Sequence, residues 1–187
     1  MAGRIEAMVP VFGIDSYTDA KAHYVDWLGF AIDWEWREAG GQPVIMAISR
    51  DRAAFMLNEY DAPAPCTVTL KVDDLESLAA EWNGRRPGSV EVTIEPPYEF
   101  PAVFIRDSCG NGLHFQQSLS ASEEAARAEN RERMREHVRA LRAEGRPFPT
   151  PAALREAIGP ALGTAVEVLN EFPDYAAAYS ARGSPDA

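Results

Sequence analysis

The sequence is short of cysteine and of long apolar runs, and each shortage excludes a class of protein. Its 187 residues contain only two cysteines, Cys66 and Cys109, which are too few for a disulfide scaffold and do not form a CxxC metal-binding pair. No apolar run reaches membrane-spanning length, and the N-terminal stretch MAGRIEAMVPVF lacks the apolar centre of a signal peptide. We therefore expect a cytoplasmic protein with no membrane partner.

Basic residues are also scarce, since 18 Lys and Arg face 29 Asp and Glu, a formal net charge of −11. This balance argues against binding to the phosphate backbone of nucleic acid, which requires a basic surface. Residues 1–118 contain 9 basic and 18 acidic residues, whereas residues 119–187 contain 9 and 11. The first part would attract a cationic ligand, although the same charge could simply keep the protein soluble.

The common catalytic motifs are missing from the sequence. It contains no GxSxG nucleophile motif, no P-loop and no dinucleotide-binding fingerprint. Neither cysteine has a histidine at a recognisable spacing, so a cysteine nucleophile is not indicated. A function in binding, or an unusual chemistry, remains.

What the sequence does contain is a repeat of the order β-α-β-β-β, over residues 8–60 and again over residues 66–117. Alternating apolar residues mark the strands and apolar residues at helical spacing mark one helix in each repeat. The two copies superpose at an offset of 58 residues, which aligns Phe12 with Leu70 and Tyr24 with Trp82. The pattern predicts an α+β domain built by internal duplication.

Residues 119–187 have a different, helical character. Ser120 and Glu123 have the spacing of a capping box, and Thr150 followed by Pro151 resembles a second helix start. The apolar stripe of the first helix is thin, so we expect this extension to have no core of its own and to dock on the first domain or on a partner subunit. The last residues, ARGSPDA, are predicted to be disordered.

Three stretches of the repeat carry a family likeness: VPVFGIDSYTDAKAHYVDWLGF, VDDLESLAAEW and EPPYEFPAVFIRDSCGNGLHF. Together they resemble the vicinal oxygen chelate superfamily of glyoxalase I, extradiol dioxygenases and bleomycin-resistance proteins. Asp107, Gly110 and Asn111 match the family's Asp-Pro-x-Gly-Asn turn, in which Ser108 here replaces the usual proline. The resemblance implies the glyoxalase/bleomycin-resistance fold, in which two βαβββ modules form a cupped mixed sheet, with a ligand cleft at a homodimer interface.

The resemblance also implies where a metal would be bound. Metal-dependent members place ligands on the first and last strand of each module, positions that correspond to Val9, Leu57, Thr67 and His114. Only His114 is a credible metal ligand, and Glu59 is the one possible substitute on the first module. We therefore expect no cofactor, and the likeness is closest to the bleomycin-resistance-like, non-metal members. The alternative is a lyase, isomerase or dioxygenase that uses His114 and Glu59, with or without a divalent metal.

The same alternation of side chains predicts the lining of the cleft. Trp34 and Trp36 share a strand face and could be either a core layer or a stacking platform, and His114 could equally be a structural histidine. The predicted ligand-binding residues are Trp34, Trp36, Phe55, Glu59, Thr67, Thr69, Tyr98, Phe100, His114 and Gln116. Aromatic walls in acidic surroundings suit a small, cationic or aromatic organic ligand, so sequestration of such a compound, as in antibiotic resistance, is the leading hypothesis. An interaction protein that works through its helical extension is a further alternative.

Overall fold

The computed structural model describes residues 7–41, 43–61, 63–95, 100–159 and 164–180. The predicted ligand-binding residue Tyr98 and the predicted disordered end of the chain lie outside these residues. The elements are β1 (Val11–Gly13), α1 (Tyr17–Ala20, continued by a π-helical segment Lys21–Trp27), β2 (Ala31–Trp36), β3 (Ile45–Arg50), β4 (Ala53–Asn58), β5 (Thr67–Val72), α2 (Leu75–Arg85), β6 (Thr93–Glu95), β7 (Phe100–Arg106), β8 (Gly112–Gln117), α3 (Ala121–Ala143), α4 (Pro151–Ile158), α5 (Thr164–Asn170) and α6 (Pro173–Ser180).

The eight strands form two four-stranded mixed sheets, with the orders β1-β4-β3-β2 and β5-β8-β7-β6. In each sheet the first strand of the module pairs in parallel with the last, and the remaining neighbours that are described pair antiparallel. The two sheets therefore have the same topology, and the predicted α+β fold of two βαβββ modules with a helical C-terminal extension is confirmed.

Helix α1 begins after Ser16 and changes its geometry before it ends. Ser16 is the N-cap, and its hydroxyl accepts the Asp19 N–H at 3.2 Å. The chain leaves the helix at Gly29, whose φ of +80° is a conformation that glycine adopts without strain. Between these points the Leu28 N–H donates to the His23 carbonyl, one residue further than in an α-helix. The sequence pattern gives no sign of this wider π-helical turn.

The helices of the two modules meet in one shared core. Helix α2 begins at its N-cap Asp74 and buries Leu75, Ala79 and Trp82. Trp27 Nε1 donates to the Trp82 carbonyl at 3.2 Å, and Trp82 Nε1 donates to the Leu28 carbonyl at 3.2 Å. Buried side chains of both modules form a single cluster on the helix side of the sheets. The opposite face of each sheet, here called its open face, carries exposed apolar side chains instead.

The described residues fall into two compact units. One contains the modules up to residue 93 together with 102–117, and the other contains residues 94–101 together with the helices after residue 117. The sequence pattern does not predict that the segment 94–101 groups with the helices. Within the described residues, none of the helices combines the length and the apolar character that crossing a membrane requires.

The helical unit has a hydrophobic core of its own, so the prediction of a coreless extension was wrong. Its capping box at Ser120 and its N-cap at Thr150 are confirmed. Met134 and Val138 of α3 supply only part of the buried surface, and the shorter helices and their connections supply the rest. The buried cluster consists of Met134, Val138, Phe148, Leu154, Ala165, Val168, Leu169 and Tyr175. A thin stripe on a long helix suffices when short amphipathic helices cover it.

Candidate functional site

The open face of the second module carries the polar side chains that the sequence assigns to a cleft. Thr69 is paired with His114 and Lys71 with Gln116 in the parallel register of β5 and β8. The alternate residues of the same strands pack against the core. The predicted orientation of these side chains agrees with the structure, and their role in ligand binding stays a prediction.

Phe104 adds an aromatic ring to this face that the sequence analysis overlooked. It pairs with His114 across β7 and β8, and the two ring centroids lie 5.9 Å apart. The Phe104 side chain is 42% exposed, and the Arg106 guanidinium lies 4.7 Å from its ring centroid. A Cβ atom on Gly112 would lie 2.7 Å from both Phe104 Cζ and Thr67 Oγ1, so a glycine is needed for this ring to lie against the sheet. The alternation in AVFIRD could have predicted this, because it places Val103 and Ile105 in the core and Phe104 on the opposite face.

The open face of the first module is apolar and aromatic. Trp34 and Trp36 are 47% and 53% exposed, so they are not the core layer that the sequence left as one alternative. They pair with Ala47 and Ile45 of β3, and the Trp36 ring stacks on Tyr60 at 6.0 Å with an interplanar angle of 27°. Tyr60 is a further aromatic residue that the sequence analysis did not assign to the site.

Two residues predicted to line the cleft on this module lie in the core instead. Phe55 is 2% exposed and Leu57 is fully buried. The register pairs Val11 with Met56 and Phe12 with Leu57, so Met56, not Leu57, faces the open side. The prediction was wrong by one residue, which in a strand reverses every side chain. The 58-residue offset of the repeat carries the correct answer, because it aligns His114 with Met56.

Glu59 has a structural role at the start of α1 and β3, which corrects its placement on the cleft face. One carboxylate oxygen accepts the Tyr17 N–H at 3.1 Å and the other accepts the Val44 N–H at 2.9 Å. Glu59 follows the buried Leu57 in the alternation and so lies on the helix side of its sheet. It borders a shallow cavity of 520 Å³ lined by Asp15, Ser16, Tyr17, Thr18, Arg37, Gly41, Pro43 and Glu59.

The four positions that the superfamily uses for metal ligands do not fit a divalent ion in this chain. With the register corrected they are Val9, Met56, Thr67 and His114, which offer one imidazole, one hydroxyl and one thioether. A divalent site normally requires three good donors. Among the residues that the structure describes, no group of three or more His, Cys, Asp and Glu side chains is arranged to hold a metal. Glu59 lies on the helix side and His114 on the open face, so these two residues do not share the face on which the enzyme alternative placed them.

The turn RDSCGN joins the two modules through the carboxylate of Asp107. One oxygen accepts the N–H groups of Cys109 at 2.9 Å and Asn111 at 2.8 Å. The other accepts the Tyr24 hydroxyl at 2.7 Å and Asn111 Nδ2 at 2.8 Å. Asn111, which is 1% exposed, also donates to the Gly13 carbonyl at 2.9 Å. Burial, with help from Asp107, raises the pKa of Tyr24 far above its usual value. The motif that carries the family likeness therefore has a structural role.

Phe100, the other predicted aromatic residue before β8, belongs to the helical unit. It is half-buried, and the Arg127 guanidinium lies 5.4 Å from its ring centroid. Arg127 also forms a two-pronged ion pair with Glu167, at 2.9 and 3.1 Å. Phe100 is thus already engaged in a cation–π contact, and whether it also contacts a ligand stays a prediction.

Comparison with known proteins gives one family match and many similar folds. A family described as "Glyoxalase superfamily protein" matches residues 3–121, while no curated protein sequence matches significantly. A glyoxalase family protein from Enterococcus faecalis is 16% identical, with 59% of this chain and 96% of that chain covered and a TM-score of 0.47. TnmS3, an antibiotic-binding protein from Streptomyces sp. CB03234, is 20% identical, with 63% and 100% covered and a TM-score of 0.47. A bleomycin-binding protein in complex with bleomycin is 17% identical, with 62% and 100% covered and a TM-score of 0.47.

Proposed function

Because the chain belongs to the glyoxalase superfamily, we propose that it binds and sequesters a small planar organic compound, cationic or aromatic, on the open faces of its sheets. Sequestration is the activity that the resemblance to bleomycin-resistance proteins implies. Antibiotics that contain planar aromatic groups are therefore the first natural compounds to test for binding. The proposal includes action in the cytoplasm and assembly as a homodimer.

The observation that carries the proposal is the pair of half-exposed tryptophans on the first module. Exposing two indole rings to water is unfavourable unless something covers them at least part of the time. A flat ligand could stack on Trp34 or Trp36 in the way that Tyr60 already stacks on Trp36. A positive charge on that ligand would gain cation–π attraction as well.

The charges around the two rings favour a cationic ligand over an anionic one. Asp33 and Glu35 alternate with the tryptophans on β2, where Asp33 accepts the Ser49 hydroxyl at 2.7 Å and Glu35 accepts the Tyr17 hydroxyl at 2.9 Å. Asp33 lies at the bulge of β2 beside Ser49, whereas Glu35 pairs with the buried Met46 and so lies on the helix side of the sheet. The two carboxylates therefore add negative charge near the platform without both facing it. The net charge of the modules adds a long-range attraction that salt would weaken.

The homodimer is proposed because the open face of the first module extends beyond the tryptophans. Val9 and Val11 are about half exposed on the same side of the sheet. A second copy of the chain would cover these side chains and could close the cleft around a ligand. Sedimentation of the purified protein would then give twice the mass of the monomer.

Titration with proflavine, a planar aromatic cation, tests the binding proposal through tryptophan fluorescence. The chain has four tryptophans, and Trp27 and Trp82 are buried, so quenching by a stacked ligand reports mainly on Trp34 and Trp36. We expect saturable quenching that weakens as salt is added, because the attraction is partly electrostatic. Trp34→Ala should weaken binding about tenfold, the loss of one stacking contact.

Two controls make this titration decisive. Tetraethylammonium has the charge without the plane and should bind far more weakly, and Arg139→Ala, on the exposed surface of α3, should leave proflavine binding unchanged. Absence of saturable quenching up to about 1 mM proflavine, the range of negligible affinity, would contradict the proposal. If both cations bound equally, stacking on the tryptophans would be contradicted, and the negative charge of the surface alone would explain the binding.

A further inference from the structure

The two cysteines of the chain lie on either side of the same turn, although the sequence separates them by most of the second module. Cys66 comes immediately before β5, and its carbonyl accepts the Gly112 N–H at 2.8 Å. Its own N–H donates to Asn111 Oδ1 at 3.4 Å. Cys109 lies in the turn that leads into β8. The parallel pairing of β5 with β8 therefore brings residue 66 beside residue 111, two positions from Cys109.

The residues next to the two cysteines lie close together. A Cβ atom on Gly110 would lie 3.3 Å from Pro65 Cγ and 3.4 Å from Pro65 Cβ, so the neighbour of one cysteine touches the neighbour of the other. A disulfide requires Cα atoms within about 7 Å. Adjacent parallel strands and a tight turn supply separations of this order.

Both cysteines lie close enough to Tyr24 to act on its hydroxyl. Cys66 precedes Thr67, which lies on the open face, so alternation turns the Cys66 side chain to the helix side. Cys109 packs against the shared core, and its sulfur accepts the Asp15 N–H at 3.2 Å. Both thiols are close enough to Tyr24 to contribute to its raised pKa, and the Asp107 carboxylate beside Tyr24 acts on both thiols.

We propose that Cys66 and Cys109 are a redox pair that a hydroperoxide converts into an intramolecular disulfide. Cys66 is exposed and Cys109 is half-buried, which assigns the first reaction to Cys66. Its thiolate attacks one peroxide oxygen, the O–O bond breaks, and a sulfenic acid forms with release of an alcohol or water. The Cys109 sulfur then attacks Cys66 Sγ, and the S–S bond forms as water leaves with the Cys109 proton. Two electrons pass from the two sulfurs to the peroxide, and an external dithiol would restore the reduced pair.

The surroundings make this pair slow to react at neutral pH. Burial is the main cause that raises the pKa of each thiol, and the Asp107 carboxylate adds to it, although the Asp15 N–H and the Ser108 hydroxyl partly offset the shift at Cys109. Since the thiolate is the reacting form, oxidation should accelerate as the pH rises. The pair is therefore suited to persistent oxidative conditions rather than to rapid sensing.

Oxidation of the full chain with tert-butyl hydroperoxide tests the proposal by intact mass. We expect a loss of about 2 Da, the mass of two hydrogens, and a proteolytic peptide that links residue 66 to residue 109 and disappears on reduction. The same treatment in urea should give a smaller ratio of linked product to sulfinic acid, because the fold no longer holds the second thiol beside the first.

Two variants locate the roles of the two sulfurs. Cys109→Ser should lose the product that is 2 Da lighter and accumulate a sulfinic acid on Cys66, a gain of about 32 Da. Cys66→Ser should remain largely unmodified, because its remaining thiol is less accessible. A wild-type chain that gains oxygen without forming the link, that forms only disulfides between two chains, or that keeps both thiols reduced would overturn the proposal.

Discussion

The two βαβββ modules have the same topology but different open faces. Tyr24 and Trp82 occupy equivalent positions in the repeat and are both buried. Val11 and Thr69 are equivalent as well, as are Met56 and His114, yet on the open faces the first module presents apolar and aromatic groups and the second presents polar ones. The buried residues maintain the shared fold, whereas the open faces are free to diverge. Function has to be sought on the faces, where the modules differ.

The largest effect is expected where the modules agree. Trp82→Ala should lower the free energy of unfolding by about 3–5 kcal/mol, because it leaves a large cavity in the shared core and removes the indole bond to the Leu28 carbonyl. Urea denaturation measures the change. Trp36→Ala, the same substitution on an open face, is the matched control and should cost less than about 1 kcal/mol. Similar losses for both variants would mean that the open face is also part of the folding core.

The hairpin turns of the two modules provide a second comparison. Asp107→Asn should destabilise the protein by about 2–3 kcal/mol, because the amide has one acceptor oxygen and can serve only one of the two pairs of donors that the carboxylate accepts. Asp51, in the turn between β3 and β4, has a φ of 54° and an 86% exposed side chain. Asp51→Asn keeps a residue that tolerates this conformation and should change stability little. Equal urea midpoints for the two variants would show that the Asp107 network contributes nothing.

Position 23 of the first module is equivalent to position 81 of the second, and each carries a titratable group whose pKa is lowered, for different physical reasons. Burial lowers the pKa of His23 to about 4, with Arg86 also lowering it and Asp107 opposing the shift. Within the described residues, His23 Nε2 is buried without a hydrogen-bond partner. An unfolded histidine titrates near 6.5, so the unfolded chain binds the extra proton. The stability from neutral His23 is present above pH 6.5 and should fall by about 3 kcal/mol as the pH falls to 4.

The variant His23→Phe isolates this contribution, because phenylalanine keeps the ring contacts with Tyr24 and Trp27 and cannot be protonated. Its unfolding free energy should vary less than that of the wild type between pH 6.5 and 4. The pKa of Glu81 is lowered by its bonds to Arg50 and by Arg85. Its ion pairs therefore stabilise the fold above the pKa of an ordinary glutamate and are lost only as the pH falls below that value. An unchanged pH dependence in His23→Phe would assign the acid sensitivity to other groups.

Most of the fold could be predicted from the sequence, because alternation, helical spacing and caps report directly on burial. Ser120 and Thr150 cap helices as the sequence predicts, and Ser16 and Asp74 are further N-caps. Predictions failed where the outcome depended on contacts distant in sequence. Phe55 and Leu57 were assigned to the wrong face although the 58-residue repeat aligns Met56 with His114, and the pairing of β4 with β1 shows the correct register. Glu59 binds backbone groups 42 and 15 residues away, which no local pattern reveals.

The smallest effect is expected on the affinity for proflavine when single aromatic side chains are removed from the open face of either module. Trp36→Ala should weaken binding about tenfold, whereas Phe104→Ala should weaken it about threefold or less. The Phe104 ring already has the Arg106 guanidinium 4.7 Å from its centroid, so a cationic ligand would have to compete with a resident positive charge. Fluorescence titration of the two variants under identical salt measures the difference. A larger loss with Phe104→Ala would move the binding platform to the second module, beside His114.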